Sequence, residues 1–212
     1  YSKMVGEKMN RYVIVPKYEG DEDTFIDEDG NERPKGWRAI GILPNPAIEV
    51  KGLAFGSETT EKNLMFANDS KMRIAAPLAI PMVVARKPIT GEEGDTKFNE
   101  GKPFEVEWTE ENIERFLVDF MKNPKNLADL FNYKHDDGTK IPAYILEIWI
   151  VDDPKKDRSF STFGIEVPKG SVFVVVQVTD KEWFNKIVEE DSLGLSVEGR
   201  FGLELKMGAE EL

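Results

Sequence analysis

The chain carries a single histidine, His135, in the acidic turn "NYKHDDG". Far downstream, Ser196 stands in "LGLSVEG", flanked by Gly194 and Gly199. A serine hydroxyl becomes nucleophilic at neutral pH when an adjacent base takes its proton, and imidazole is the usual base. The imidazole needs a third group on its other ring nitrogen, to fix the tautomer and stabilise the imidazolium. Glu147 in "AYILEIWIV" is a candidate, because a lone carboxylate among apolar residues is costly unless paired. Asp136 and Asp137, next to the histidine, compete for the role. The chemistry would be acyl transfer, in which Ser196 attacks a carbonyl and water hydrolyses the acyl-enzyme. Backbone amides near Gly199 or Arg200 would then face the oxyanion. Residue types and spacing alone favour a plain turn histidine and an inert strand serine.

Composition narrows the field. There is no cysteine, so disulfides, thiolate nucleophiles and cysteine-type zinc sites are excluded. One histidine excludes a histidine-rich metal centre. "DEDTFIDEDGNE" partly matches a calcium loop, but its glycine is out of register and no glutamate closes it, so it reads as a solvated acidic loop. The net charge of −12 argues against bare nucleic acid as a partner. Hydrophobic residues at 40% and charged residues at 32% suit a globular domain. No apolar run approaches the roughly 20 residues that span a bilayer. "YSKMVGEKMN" has no apolar stretch of the kind a signal peptide needs, and the absence of cysteine fits a reducing cytosol.

The elements that must position these residues can be read in outline. Residues 1–70 look irregular and β-rich, and "GSETTEKNLMFANDSK" is the expected linker to the rest. "MRIAAPLAIPMVVARKPI" must be extended, edge-like or kinked, because Pro77 and Pro81 forbid a helix. "TGEEGDTKFNEGK" reads as a polar hairpin. Thr109 caps a helix with Glu110 and Glu111 in its first turn and an apolar stripe of Ile113, Phe116, Leu117, Phe120 and Met121. The strand from Pro142 to Val151 and "SVFVVVQV" are apolar on both faces and are expected to be buried on both sides. Asp180 caps a second helix carrying Trp183, Phe184, Ile187 and Val188. In the last strands Leu193, Leu195 and Val197 share one face, Gly194, Ser196 and Glu198 the other. The two glycines around Ser196 are expected to leave room for a substrate backbone.

Five stretches in this order resemble the prohead, or capsid maturation, serine proteases of tailed phages. They are "KMRIAAPLAIPMVVARKP", the helix "TEENIERFLVDFMKN", the histidine turn "NYKHDDG", the strand "LEIWIVDDP" with its Glu-x-Trp-x-Val-Asp-Asp pattern, and "FGIEVPKGSVFVVVQVTDKEWFNKI". "GLSVEG" then resembles the family's Gly-Phe-Ser-Ile/Val-Glu-Gly serine motif, with Leu195 in place of the aromatic residue. Residues 1–70 match the family poorly.

The resemblance implies an α+β fold like that of herpesvirus assemblin, a mostly antiparallel β-barrel flanked by helices. It divides the chain into an N-terminal β-rich extension with an acidic loop (1–70) and a serine protease core (71–212). It makes Ser196 the nucleophile, His135 the general base and Glu147 the third member. The implied activity is a serine endopeptidase that processes scaffold and capsid proteins during phage head maturation, inside the prohead in the host cytoplasm. Those proteins would be its partners and substrates. It is compatible with a homo-oligomer, and no cofactor, metal, nucleic acid or membrane is expected. By analogy "KMGAEEL" is expected to be a self-cleavage scar. The alternative is a non-catalytic head or virion component that keeps the fold. An unrelated β-rich ligand-binding module would instead show a roomy pocket and no contact between Ser196 and His135.

Overall fold

The computed structural model describes residues 10–16, 22, 24–26, 32–46, 48, 51–55, 71–86, 102–122 and 129–206. Most of the acidic loop, of the polar hairpin and of the linker, and all of the tail after Lys206, lie outside them.

"VFVVVQV" forms β12 (Val172–Val178), buried along both faces as its β-branched run predicts. It is an inner strand of an antiparallel sheet, between β11 (Ala143–Ile150) and β6 (Arg73–Ala79), with β5 (Leu53–Phe55) beyond β6. β11 was expected to be equally buried and is not. It is the edge strand, bulged between Ile145 and Glu147, and Tyr144 and Leu146 are 48% and 37% exposed. An edge strand has a neighbour on one side only, so its apolar residues are only half covered. Pro77 lies inside β6, opposite Phe173 at a register shift and past the end of β5. A proline without an N–H is tolerated where one side of the ladder is locally missing.

A second sheet runs β10 (Asp136–Lys140), β9 (Phe131–Tyr133), β4 (Gly36–Leu43), β13 (Gly194–Arg200), with β4 and β9 parallel and the other neighbours antiparallel. A third runs β14 (Gly202–Leu205), β1 (Asn10–Val15), β8 (Phe104–Trp108), β7 (Met82–Arg86), where only β1 and β8 are parallel. A two-stranded ribbon joins β2 (Thr24–Ile26) and β3 (Glu32–Pro34). The fold is therefore α+β with mostly antiparallel sheets. The described strands pair as separate sheets, and no closed barrel is detected among the described strand pairs.

Helix α1 (Glu110–Lys122) starts where Thr109 Oγ1 accepts the Asn112 N–H at 3.2 Å, and it buries Ile113, Phe116 and Phe120. Met121 falls outside that stripe and is 43% exposed. The short α2 (Arg158–Ser161) is capped by Asp157, and α3 (Lys181–Glu189) by Asp180, whose carboxylate accepts the Trp183 N–H at 2.9 Å. One core cluster joins residues of all three large sheets to α1 and α3. At its centre Trp37 of β4 stacks on Phe116 of α1 at 5.6 Å.

The boundary at residue 70 is not a structural seam. The part before it is β-rich, as expected, but β4 lies between β9 and β13, and β1 lies between β14 and β8. Trp37, Ile40 and Ile42 of β4 are core residues, so the strand that supports Ser196 belongs to the supposed extension.

Candidate active site

The histidine turn is strained. Lys134 and His135 are the two residues between β9 and β10, and both have positive φ, 54° and 63°. A two-residue hairpin of this kind favours Asn-Gly. A residue with a Cβ in the left-handed region costs roughly 1–2 kcal/mol. Contacts around the turn hold it. The Lys134 N–H donates to Ile42 O at 3.0 Å, and Lys134 Nζ donates to Glu190 at 2.7 Å at the end of α3. The Tyr133 hydroxyl donates to the same carboxylate.

Lys134 first, then Tyr133, hold the Glu190 carboxyl below its ordinary range, and the Lys134 ammonium is raised mainly by Glu190. A lowered carboxylate contributes above its unfolded pKa and fails as pH falls through the folded one. A raised ammonium contributes below its unfolded pKa and fails as pH rises through the folded one. The clamp is therefore intact across neutral pH. Backbone strain maintained in this way is characteristic of functional positions.

Glu198 meets the histidine from β13. Alternation puts Ser196 and Glu198 on one face of that strand, and Leu195 and Val197 on the other. His135 Nδ1 lies 2.7 Å from Glu198 Oε1. The same oxygen accepts from Nδ2 of the fully buried Asn132, at 2.6 Å. A carboxylate oxygen can only accept, so the histidine proton sits on Nδ1. In the neutral ring Nε2 then keeps its lone pair as a base. Asn132 Oδ1 is buried without a partner among the described residues. Turning the amide over would satisfy Oδ1 no better and would set it against Glu198, so the carboxylate fixes the amide.

Gly41 brings the serine into this group. It lies in β4 directly opposite Ser196 on one side and Asn132 on the other. A Cβ built on Gly41 would sit 2.7 Å from both Nδ1 and Cε1 of His135, so the ring occupies the place of a side chain. Directly opposed antiparallel residues have Cβ atoms about 4.5–5.5 Å apart. Together these spacings put the imidazole within about 8 Å of the Ser196 Cβ, on the same face of the sheet. No hydrogen bond joins the two side chains among the described residues. Gly41→Ala should push the ring aside while leaving the strand intact, since the clash is with a side chain. A misplacement near 1 Å can cost about 100-fold in rate. If the imidazole serves as base to Ser196, a loss of that order in turnover is expected with a melting temperature close to wild type, read by a peptide-cleavage assay beside a thermal melt.

The expected role of Glu147 is corrected. Glu147 is paired, as the burial argument required, but with Arg158 Nη1 at 2.6 Å and not with His135. It lies on β11, in a different sheet from the histidine turn and Ser196. Arg158 also stacks 5.0 Å over Trp149, whose indole N–H donates to Asp157, so this group holds the connection after β11. The two competing aspartates are also engaged. Asp136 accepts from the Thr139 hydroxyl and the Gly138 N–H, which lower its pKa in that order, and Asp137 faces Arg38 and Lys140 at 3.7 Å. The glycines around Ser196 are needed for packing and do not leave room for a substrate. A Cβ on Gly194 would strike the Pro46 ring, and one on Gly199 the Gly36 carbonyl.

Sequence reasoning missed Glu198, Asn132 and Gly41. Glu198 stood in the serine motif and on the right face, two residues from Ser196, and that spacing was the available signal. Asn132 and Gly41 depend on the pairing of β4 with β9 and β13, which no local pattern encodes.

A cavity of about 380 Å³ opens beside β13 where the three large sheets meet. Its described lining is apolar apart from Ser196. No group of three or more carboxylates or imidazoles that could hold a metal occurs among the described residues. No described helix is long and apolar enough to cross a membrane. Comparison of the chain with family models, with curated proteins and with solved structures finds no match.

Proposed function

We propose that this chain is a serine endopeptidase in which Ser196 is the nucleophile, His135 the general base and Glu198 the group that orients the base. The observation that carries the reading is the His135–Glu198 bond over Gly41, the strand partner of Ser196. In the proposed reaction Ser196 Oγ bonds to the scissile carbonyl carbon as its proton passes to His135 Nε2. That proton is then given to the leaving amine as the C–N bond breaks. Water, deprotonated by the same nitrogen, hydrolyses the ester. Glu198 stays ionised and stabilises the imidazolium. The free gap between Ser196 and His135 is compatible with this, since catalytic hydrogen bonds often tighten only when substrate binds.

The substrates we propose are the scaffold and capsid proteins of a tailed phage, cut inside the prohead. This part of the reading rests on the resemblance of residues 71–212 to that protease family. The assemblin-like barrel belongs to the same proposal. Support for it comes from the core cluster shared by the three sheets, and from the Gly52 N–H, just before β5, donating at 2.7 Å to Leu193 O, just before β13.

A second reading has specific support: a non-catalytic component, or a binder of an apolar ligand, would show the roomy cavity and the absent Ser196–His135 bond. Incubating the protein with scaffold separates the two. Cuts that vanish in Ser196→Ala support the peptidase. Wild-type cuts in that variant, or none in either protein, support the binder.

A further inference from the structure

We infer that the 380 Å³ cavity is the subsite for a large apolar side chain of the substrate, next to the bond that Ser196 attacks. This rests on the peptidase reading above. Well-packed interiors contain few voids larger than a water molecule, whereas ligand sites begin near 300 Å³. The cavity therefore has the size of a binding site. Leu78, Phe104, Val106 and Trp108 line it, and nothing in its described wall would pair with a charged side chain. The lining of β7 alternates as an inward face should: Met82 and Val84 contribute to it, while Val83 between them is 43% exposed.

The connection to the chemistry runs round β13. Leu195 and Val197 belong to the core face of that strand, and Ser196 to the opposite face, yet all three line the cavity. β13 is the last strand of its sheet, so its outer edge has no strand neighbour among the described residues. A substrate backbone lying at Ser196 could thus send one side chain past that edge into the apolar space. Leucine, methionine and phenylalanine fit this space, and aspartate and lysine would lose their hydration in it without gaining a partner.

The test uses alkyl fluorophosphonates, from methyl to hexyl, whose reaction forms an O–P bond at Ser196 and releases fluoride as the proton passes to His135. A methylene moved from water into an apolar site contributes about 0.8 kcal/mol, or roughly fourfold in rate. The labelling rate of the whole protein should therefore rise by up to about fourfold per methylene. Val84→Trp, which fills the space, should flatten that dependence. Met82→Trp serves the same purpose if Val84→Trp does not fold. A flat chain-length series on labelled wild-type Ser196 would overturn the subsite and leave the peptidase standing. An unchanged slope in a folded Trp variant would overturn it too. No labelling of Ser196 by any probe would overturn the peptidase reading, and the subsite with it.

Discussion

Ser196→Ala should reduce scaffold cleavage by several orders of magnitude and leave the melting temperature almost unchanged. The substitution removes one hydroxyl oxygen from a half-buried position, opposite a glycine and with no hydrogen bond to His135. Almost no cavity results and no donor is left unpaired, so the stability change should stay within the roughly 0.5 kcal/mol of an unremarkable substitution. Members of a triad act as a unit, so loss of the nucleophile removes the full contribution of the base and its orienting group, on the order of 10⁶-fold. His135→Ala should be about as damaging. Parallel loss of melting temperature and cleavage would instead mark Ser196 as structural.

Glu198→Gln and Glu147→Gln should differ by about three orders of magnitude or more in activity. Glu198 accepts from both His135 and the buried Asn132, so the amide variant removes the charge facing the imidazolium and disturbs the proton on Nδ1. Neutralising an orienting carboxylate costs about 10⁴-fold in turnover where this arrangement operates. Glu147 instead forms a partly exposed pair with Arg158, with side chains 37% and 54% accessible. Such pairs contribute at most about 1 kcal/mol to stability, and Glu147→Gln should cleave at close to the wild-type rate. Glu198→Ala adds a second effect. It leaves the buried Asn132 amide unpaired, so a stability loss of about 1–3 kcal/mol should accompany the lost activity. Steady-state cleavage and chemical denaturation of the three variants give both quantities. A large activity loss in Glu147→Gln with near-normal Glu198→Gln would return the third role to Glu147.

Local signals carried much of the fold. The stripe after Thr109, the cap at Asp180 and the β-branched run of Val172–Val178 each state their own environment, and α1, α3 and β12 follow them. Apolarity on both faces of Ala143–Ile150 did not reveal that the strand is an edge, because edge or centre is decided by distant neighbours. The same limit governed the site. His135 was legible because it is the single imidazole, and Ser196 because of its motif. Glu147 drew notice as a lone acid among apolar residues, but that pattern only calls for some partner, and Arg158 on the following connection supplies it. Which carboxylate reaches His135 is set by the pairing of β4 with both β9 and β13. It also depends on Gly41 leaving a gap for the ring. The partition at residue 70 failed for a related reason, since composition marks the irregular stretches but not which sheet a strand joins.

The most direct measurement of the central claim is the site and rate of covalent modification by a simple alkyl fluorophosphonate, mapped by peptide mass spectrometry. The account predicts one modified residue, Ser196, with a rate that falls at least 100-fold in His135→Ala, and by a smaller but still large factor in Glu198→Gln. Modification at a different serine, or Ser196 labelling that is equally fast with and without His135, would contradict it.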